Sequence, residues 1–229
     1  QREPVKSIAQ NWGEALDVSR FYGRTAELTT LTQWILQDNC RLVGIFGIGG
    51  IGKTALSVKL AEGVQHLFTY VIWRSLRNAP PLQTLLAALV PFLSGNQDIK
   101  ADVSSLLQCL RNHRCLVVLD NMETLLQTGN QTGYYRPGYE AYGELIEVLA
   151  ETRHQSCFVL TSREKPAQIA QFEGVELAVR TLPLNGSQEA ATALIEATRL
   201  TGSELEKHQL CDRYRCNPLA LKIVATSIR

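Results

Sequence analysis

The octapeptide GIGGIGKT, residues 47–54, leaves few folds open to this chain. It follows the apolar run RLVGIF and opens the helix-forming stretch KTALSVKLAE. A strand, a glycine loop and a helix in that order are the setting in which GxxxxGK[ST] has a mechanism. Glycines let the backbone bend until consecutive N–H groups converge on phosphate oxygens at a helix N-terminus. The contacts expected here are Gly47, Gly49, Gly50, Ile51, Gly52, Lys53, Thr54 and Ala55. Lys53 is placed to neutralise the terminal phosphates, and the Thr54 hydroxyl to ligate Mg2+.

Around this loop the chain alternates apolar strands with amphipathic helices. RLVGIFG, YVIWRSL, CLVVLDN, CFVLTSR and VELAVRTL read as five strands, with a helical stretch in each of the four connections between them. Near-continuous apolar strands separated by helices predict an α/β fold with a five-stranded parallel sheet covered on both faces. After Pro183 the strand pattern stops. NGSQEAATALIEATRL, SELEKHQLCDRYRC and NPLALKIVATSIR read as a small helical domain over 184–229, with Ser203 and Glu206 as a capping box and Asn217-Pro218 as a helix start. Residues 1–20 lack sustained periodicity and read as a linker that docks on the domain or joins it to an upstream segment. Leu28, Leu31, Trp34 and Ile35 mark a helix face just after Gly23.

Composition bears on partners and location. With 23 basic and 22 acidic residues scattered along the chain there is no electrostatic footprint for nucleic acid or an anionic membrane. No apolar run is long enough for a membrane span, and the start QREPVKSIAQNWGEA has no signal-peptide core, so a cytoplasmic protein is expected. The six cysteines form no CxxC pair and read as buried thiols, and the four separate histidines are given no catalytic role. Four of the seven tyrosines, Tyr134, Tyr135, Tyr139 and Tyr142, fall in TGYYRPGYEAYGE, which reads as a compact loop packed by its own aromatics or as a lid or partner-facing loop.

Two further strand ends carry chemistry. Asp120 closes CLVVLD, where a carboxylate would hold Mg2+ directly or through water. FVLTSR brings Thr161, Ser162 and Arg163 within reach of a phosphate if its strand lies between the other two. Arg163 reads either as a γ-phosphate sensor or as a solvated strand-end arginine. There is no NKxD run for guanine, which favours ADP or ATP.

FYGRTAEL, GIGGIGKT, LVVLDN, LTSR and CNPLAL occur in that order over residues 21–221. Together they resemble the NB-ARC class of STAND nucleotide-binding switches, the module of plant disease-resistance receptors and of the animal apoptosome scaffold. The resemblance implies a nucleotide-binding domain over 21–183, with the FVLTSR strand between those of the glycine loop and Asp120. It further implies that the helical domain is cut short before a winged-helix domain, and that the partners are a repeat-type sensor such as WD repeats, an N-terminal effector and other copies of the chain on activation. Phe21 and Tyr22 would offer backbone to adenine with Arg24 nearby, and Pro218 would pack on the base or ribose, a role compatible with simple helix initiation.

Asn121 departs from the family pattern, which has a second acid after the strand-end aspartate. An amide can orient water but cannot take its proton, so general-base catalysis worth about 10²–10⁴ would be missing. Glu123 reads either as a substitute base or as a surface acid; a turn directly after Asn121 would redirect it. The catalytic candidates are Asp120, Asn121, Glu123 and Arg163. The expectation is an ATP/ADP switch, ADP-bound when closed and slow to hydrolyse; the alternative is a steadily turning-over ATPase in a ring.

Overall fold

The computed structural model describes residues 8–129, 132–174, 177–198 and 200–227. Its strands are β1 (Ala9–Asn11), β2 (Leu42–Phe46), β3 (Tyr70–Ser75), β4 (Cys115–Asp120), β5 (Cys157–Ser162) and β6 (Val179–Pro183). Its helices are α1 (Thr25–Leu36), α2 (Lys53–Val64), α3 (Leu82–Leu93), α4 (Val103–Asn112), α5 (Ala141–Glu151), α6 (Ala167–Phe172), α7 (Gln188–Thr198), α8 (Glu204–Arg213) and α9 (Pro218–Ser227). The strands form one sheet in the order β1-β3-β4-β5-β2-β6, every pair parallel.

Every residue of β2, β4 and β5 is buried, as a sheet covered on both faces requires. Alternate side chains feed two cores. Val117, Leu119, Phe158 and Leu160 pack beneath α3, α4 and α5, while Leu116, Val118, Val43 and Ile45 pack with Leu31 of α1 and Leu56 and Leu60 of α2. β5 lies between β4 and β2, the order that the resemblance implies.

The sheet has six strands, not five. The additional one, β1, lies in the segment read as a linker and pairs Ala9, Gln10 and Asn11 with Tyr70, Val71 and Ile72 at the sheet edge. Three residues are too few to display a two-residue alternation, and the pairing uses main-chain groups, which carry no sequence signature. Ile8, Trp12 and Ala15 then pack against the α1/α2 core, so this part of the segment is docked. Residues 1–7 lie outside those described.

The tyrosine-rich segment also differs from expectation. Tyr135 and Tyr142 are buried in the main core rather than packed only on neighbouring rings. The Tyr139 and Tyr142 hydroxyls donate to the carbonyls of Ala79 and Pro80, at 2.7 and 2.8 Å, which ties the segment to the loop before α3. After β6, α7, α8 and α9 gather a core of their own from Ala191, Leu194, Ile195, Cys211, Cys216 and Leu221. The capping box is present at α8: Glu206 N–H donates to Ser203 Oγ and Ser203 N–H to Glu206 Oε2.

At the opposite pole from the glycine loop, His154 is packed with Nε2 3.2 Å from Leu149 O. Burial, aided by Arg41 and Arg111, pulls its pKa from an ordinary 6.5 to about 4, against the hydrogen bond to Leu149 O that favours the charged ring. In the unfolded chain the ring takes a proton near pH 6.5, whereas the folded chain resists until about pH 4. Stability is therefore lost as pH falls through this window. We expect His154→Asn to flatten the pH dependence of the unfolding free energy from urea titrations between these limits, by about 2 kcal/mol across the range after allowance for partial exposure.

Candidate functional site

The C-terminal ends of β2, β4 and β5 open onto one crevice, and the loop after β2 forms its floor. Gly50 and Gly52 have φ of 75° and 102°, values an L side chain resists, and Gly52 then starts α2 with no side-chain cap. The first-turn amides of α2 are left for an external acceptor. Lys53 is buried and folds back over the loop, donating to Gly47 O at 2.7 Å and Ile48 O at 3.1 Å. Burial pulls its ammonium below the ordinary lysine range; Arg163 adds to this, while Glu123 and Asp120 oppose it.

Asp120 is 2% exposed and is held from two sides. Thr54 Oγ1 donates to its carboxylate at 2.9 and 3.0 Å, and Thr161 Oγ1 at 2.5 Å. Burial raises the Asp120 pKa, partly offset by those two hydroxyls. Thr161 and Ser162 read from the sequence as able to reach a phosphate with β5 between β2 and β4. Thr161 turns sideways to Asp120 instead and accepts Asn121 N–H, and Ser162 Oγ accepts Glu164 N–H. Thr161 thus both donates and accepts within the strand ends, whereas Ser162 Oγ only accepts.

Asn121 adopts a left-handed conformation, φ 66° and ψ 43°, and a 3-10 turn over Met122–Leu125 follows at once. The turn carries Glu123 toward β5, where its carboxylate accepts Arg163 N–H at 3.3 Å and lies 3.4 Å from Arg163 Nε. The Arg163 guanidinium also lies against the glycine loop: a Cβ added at Gly49 would stand 3.2 Å from its Cζ. Lys53, Asp120, Glu123 and Arg163 therefore form one mutually interacting charge cluster.

A second, more apolar cavity adjoins the loop from the helical side. Phe21, Tyr22, Arg24, Ile51, Gly52, Ala55 and Pro218 all line it, which brings together residues from three separated motifs. Arg24 is buried, donating to Glu27 Oε1 at 2.6 Å and to Ile51 O at 3.2 Å, so it braces the loop rather than projecting into space. Arg20, Ala190, Leu194 and Lys222 line the same cavity and were not anticipated. Lys222 stands one helical turn beyond Pro218 on the same face of α9, and Ala190 and Leu194 share a face of α7; the helical period held that signal. A larger cavity at the other pole, bordered by Arg111, Arg114 and Arg153, lies away from all these motifs.

The family model for the NB-ARC domain matches residues 24–180. The chain belongs to the NB-ARC family. An uncharacterised WD repeat-containing protein of Nostoc sp. is 50% identical over 96% of the chain, and a disease resistance protein of Arabidopsis thaliana is 28% identical over 60% of it. Among solved structures, a STAND protein with a tetratricopeptide repeat sensor from Pyrococcus horikoshii has a TM-score of 0.68 over 94% of the chain at 18% identity, a likeness of fold. The chain spans 19% of the Nostoc protein, 11% of the Arabidopsis one and 31% of the Pyrococcus one. This is a nucleotide-binding module of the P-loop NTPase type. No described helix is long and apolar enough to cross a membrane.

Because burial disfavours the Asp120 charge, Asp120→Asn is expected to leave the nucleotide-free NB-ARC protein melting at or above the wild-type temperature. In calorimetric titrations the same variant should lose the gain in ATP affinity that Mg2+ gives the wild type, about tenfold or more.

Proposed function

We propose that this NB-ARC module, a nucleotide-binding domain over 21–183 with a helical domain over 184–229, is an ATP/ADP switch within a longer signalling chain. ADP holds it closed and ATP hydrolysis is slow. The observation that carries this reading is the state of Glu123: the acid nearest to replacing the family's missing carboxylate is paired with Arg163 rather than left open to a water.

The donor set fits a Mg-nucleotide. The Thr54 hydroxyl and Asp120 carboxylate are hard oxygen ligands for Mg2+, which when bound would neutralise the terminal phosphates. Lys53 and the amides of Gly49, Gly50, Ile51 and Gly52 receive phosphate, with Gly47 and Ala55 at the two ends of the cradle. Phe21, Tyr22 and Pro218 enclose the base or ribose, and Arg24 braces the wall. A γ-phosphate beside Gly49 competes with Glu123 for Arg163, so ATP and ADP favour different partners for that guanidinium. Asn121 orients solvent but takes no proton.

The WD-repeat relative and the neighbour with a tetratricopeptide sensor support a repeat-type sensor elsewhere in the chain. A winged-helix domain, an N-terminal effector and assembly with other copies complete this reading, with a cytoplasmic location. A second reading, steady turnover in a ring, is favoured by the nearness of Glu123 to the charge cluster, since loss of the Arg163 pair would free a base.

Denaturing the purified protein and chromatographing what it releases should yield about one ADP per chain, and none from Lys53→Ala. ATP turnover should stay slow and change less than about threefold in Glu123→Gln. An empty wild-type site with rapid turnover abolished by Glu123→Gln would favour the second reading.

A further inference from the structure

The start of α9 meets the glycine loop through a specific set of hydrogen bonds. Asn217 uses both ends of its amide. Its Oδ1 accepts Leu219 N–H at 3.0 Å and Ala220 N–H at 3.2 Å, which caps α9. Its Nδ2 donates to Gly49 O at 3.0 Å. Leu219 N–H also approaches Gly50 O, at 3.3 Å. The approach leaves no room for a side chain on the loop: a Cβ added at Gly50 would lie 2.7 Å from Leu219 Cβ.

Two consecutive loop carbonyls are therefore held by the first residues of α9. In a planar trans peptide the C=O and N–H point in opposite directions. Holding the Gly49 and Gly50 carbonyls toward α9 aims the N–H groups of Gly50 and Ile51 the other way. Ile51 N–H makes only a long bond of 3.4 Å, to Ile48 O, so it has capacity for an anionic oxygen.

We propose that Asn217 is a positioning residue that couples phosphate binding to the docking of the helical unit by fixing the orientation of the Gly49–Gly50 and Gly50–Ile51 peptides. Docked α9 sets those peptides for phosphate, and bound phosphate sets the carbonyls on which α9 docks. The two events then reinforce each other, as linked equilibria must. This rests on the reading of the loop as a nucleotide site. An aliphatic side chain at position 217 could neither cap the helix nor reach the loop by a hydrogen bond.

Two substitutions separate the cap from the link. Asn217→Asp keeps a good N-cap acceptor and removes only the N–H donor, setting a carboxylate oxygen against Gly49 O; Asn217→Ala removes both. ADP affinity is measured by fluorescence titration with a labelled ADP, and protection of the Ala220 amide by hydrogen exchange without nucleotide. The expected result is an ADP affinity about tenfold weaker in both variants, with Ala220 protected as in wild type in Asn217→Asp and exposed only in Asn217→Ala. Affinity within about twofold of wild type in Asn217→Asp would overturn the proposal and leave the nucleotide site standing, since Asn217 would then be a cap alone. Loss of Ala220 protection in Asn217→Asp would overturn it too, by tracing the weakened binding to the helix. Wild-type protein that binds no ADP would overturn both this and the functional reading.

Discussion

The buried carboxylate of Asp120 fastens the three elements on which the site is built. It ends β4, receives the hydroxyl of Thr54 from the first turn of α2, and receives that of Thr161 from β5. Such a charge is costly to bury, and two hydroxyl donors offset only part of that cost, which is why burial still raises its pKa. The fold thus holds a buried, incompletely compensated carboxylate beside the glycine loop. Lys53 is in a complementary position: a buried ammonium that satisfies itself on the Gly47 and Ile48 carbonyls. Both charged groups are thus held by internal hydrogen bonds, Asp120 by hydroxyls and Lys53 by loop carbonyls.

From this centre the arrangement spreads outward through strand order. With β5 between β2 and β4, residues distant in sequence reach one crevice, and Arg163 at the end of β5 lies against Gly49 on one side and Glu123 on the other. A sheet wound differently would carry the same residues without bringing them together. The helical unit completes the enclosure from the far side, with Pro218 and Lys222 on one face of α9 and Ala190 and Leu194 on one face of α7.

What could be read from the sequence followed the physics of each signal. The glycine loop, the strand-end Asp120 and the buried strands β2, β4 and β5 impose strong local requirements, so their residues announce them. β1 is joined through main-chain bonds at an edge, and nothing in Ala9, Gln10 and Asn11 signals that pairing. Thr161 could be placed at a strand end but not aimed, because whether its hydroxyl turns to Asp120 or to the crevice depends on a neighbouring strand. The turn after Asn121 was foreseen as one of two paths for Glu123; that it ends on Arg163 requires the three-dimensional register of β4 and β5. Lys222 was missed although it follows Pro218 by one turn, because a lone lysine on an exposed helix is usually solvated.

The cysteines have a consequence of their own. All six are free and buried, and burial raises every thiol pKa, Cys40 to about 11 and Cys115 to about 12. A thiolate is the reactive species, so the folded protein is chemically quiet toward alkylating agents and mild oxidants. Cys40, Cys109, Cys115 and Cys157 belong to the sheet and its helices, whereas Cys211 and Cys216 belong to the core of α7, α8 and α9. Any modification must wait for local opening, and the two sets report on different parts of the molecule. A single thiol reagent would thus read the sheet through four residues and the helical unit through two.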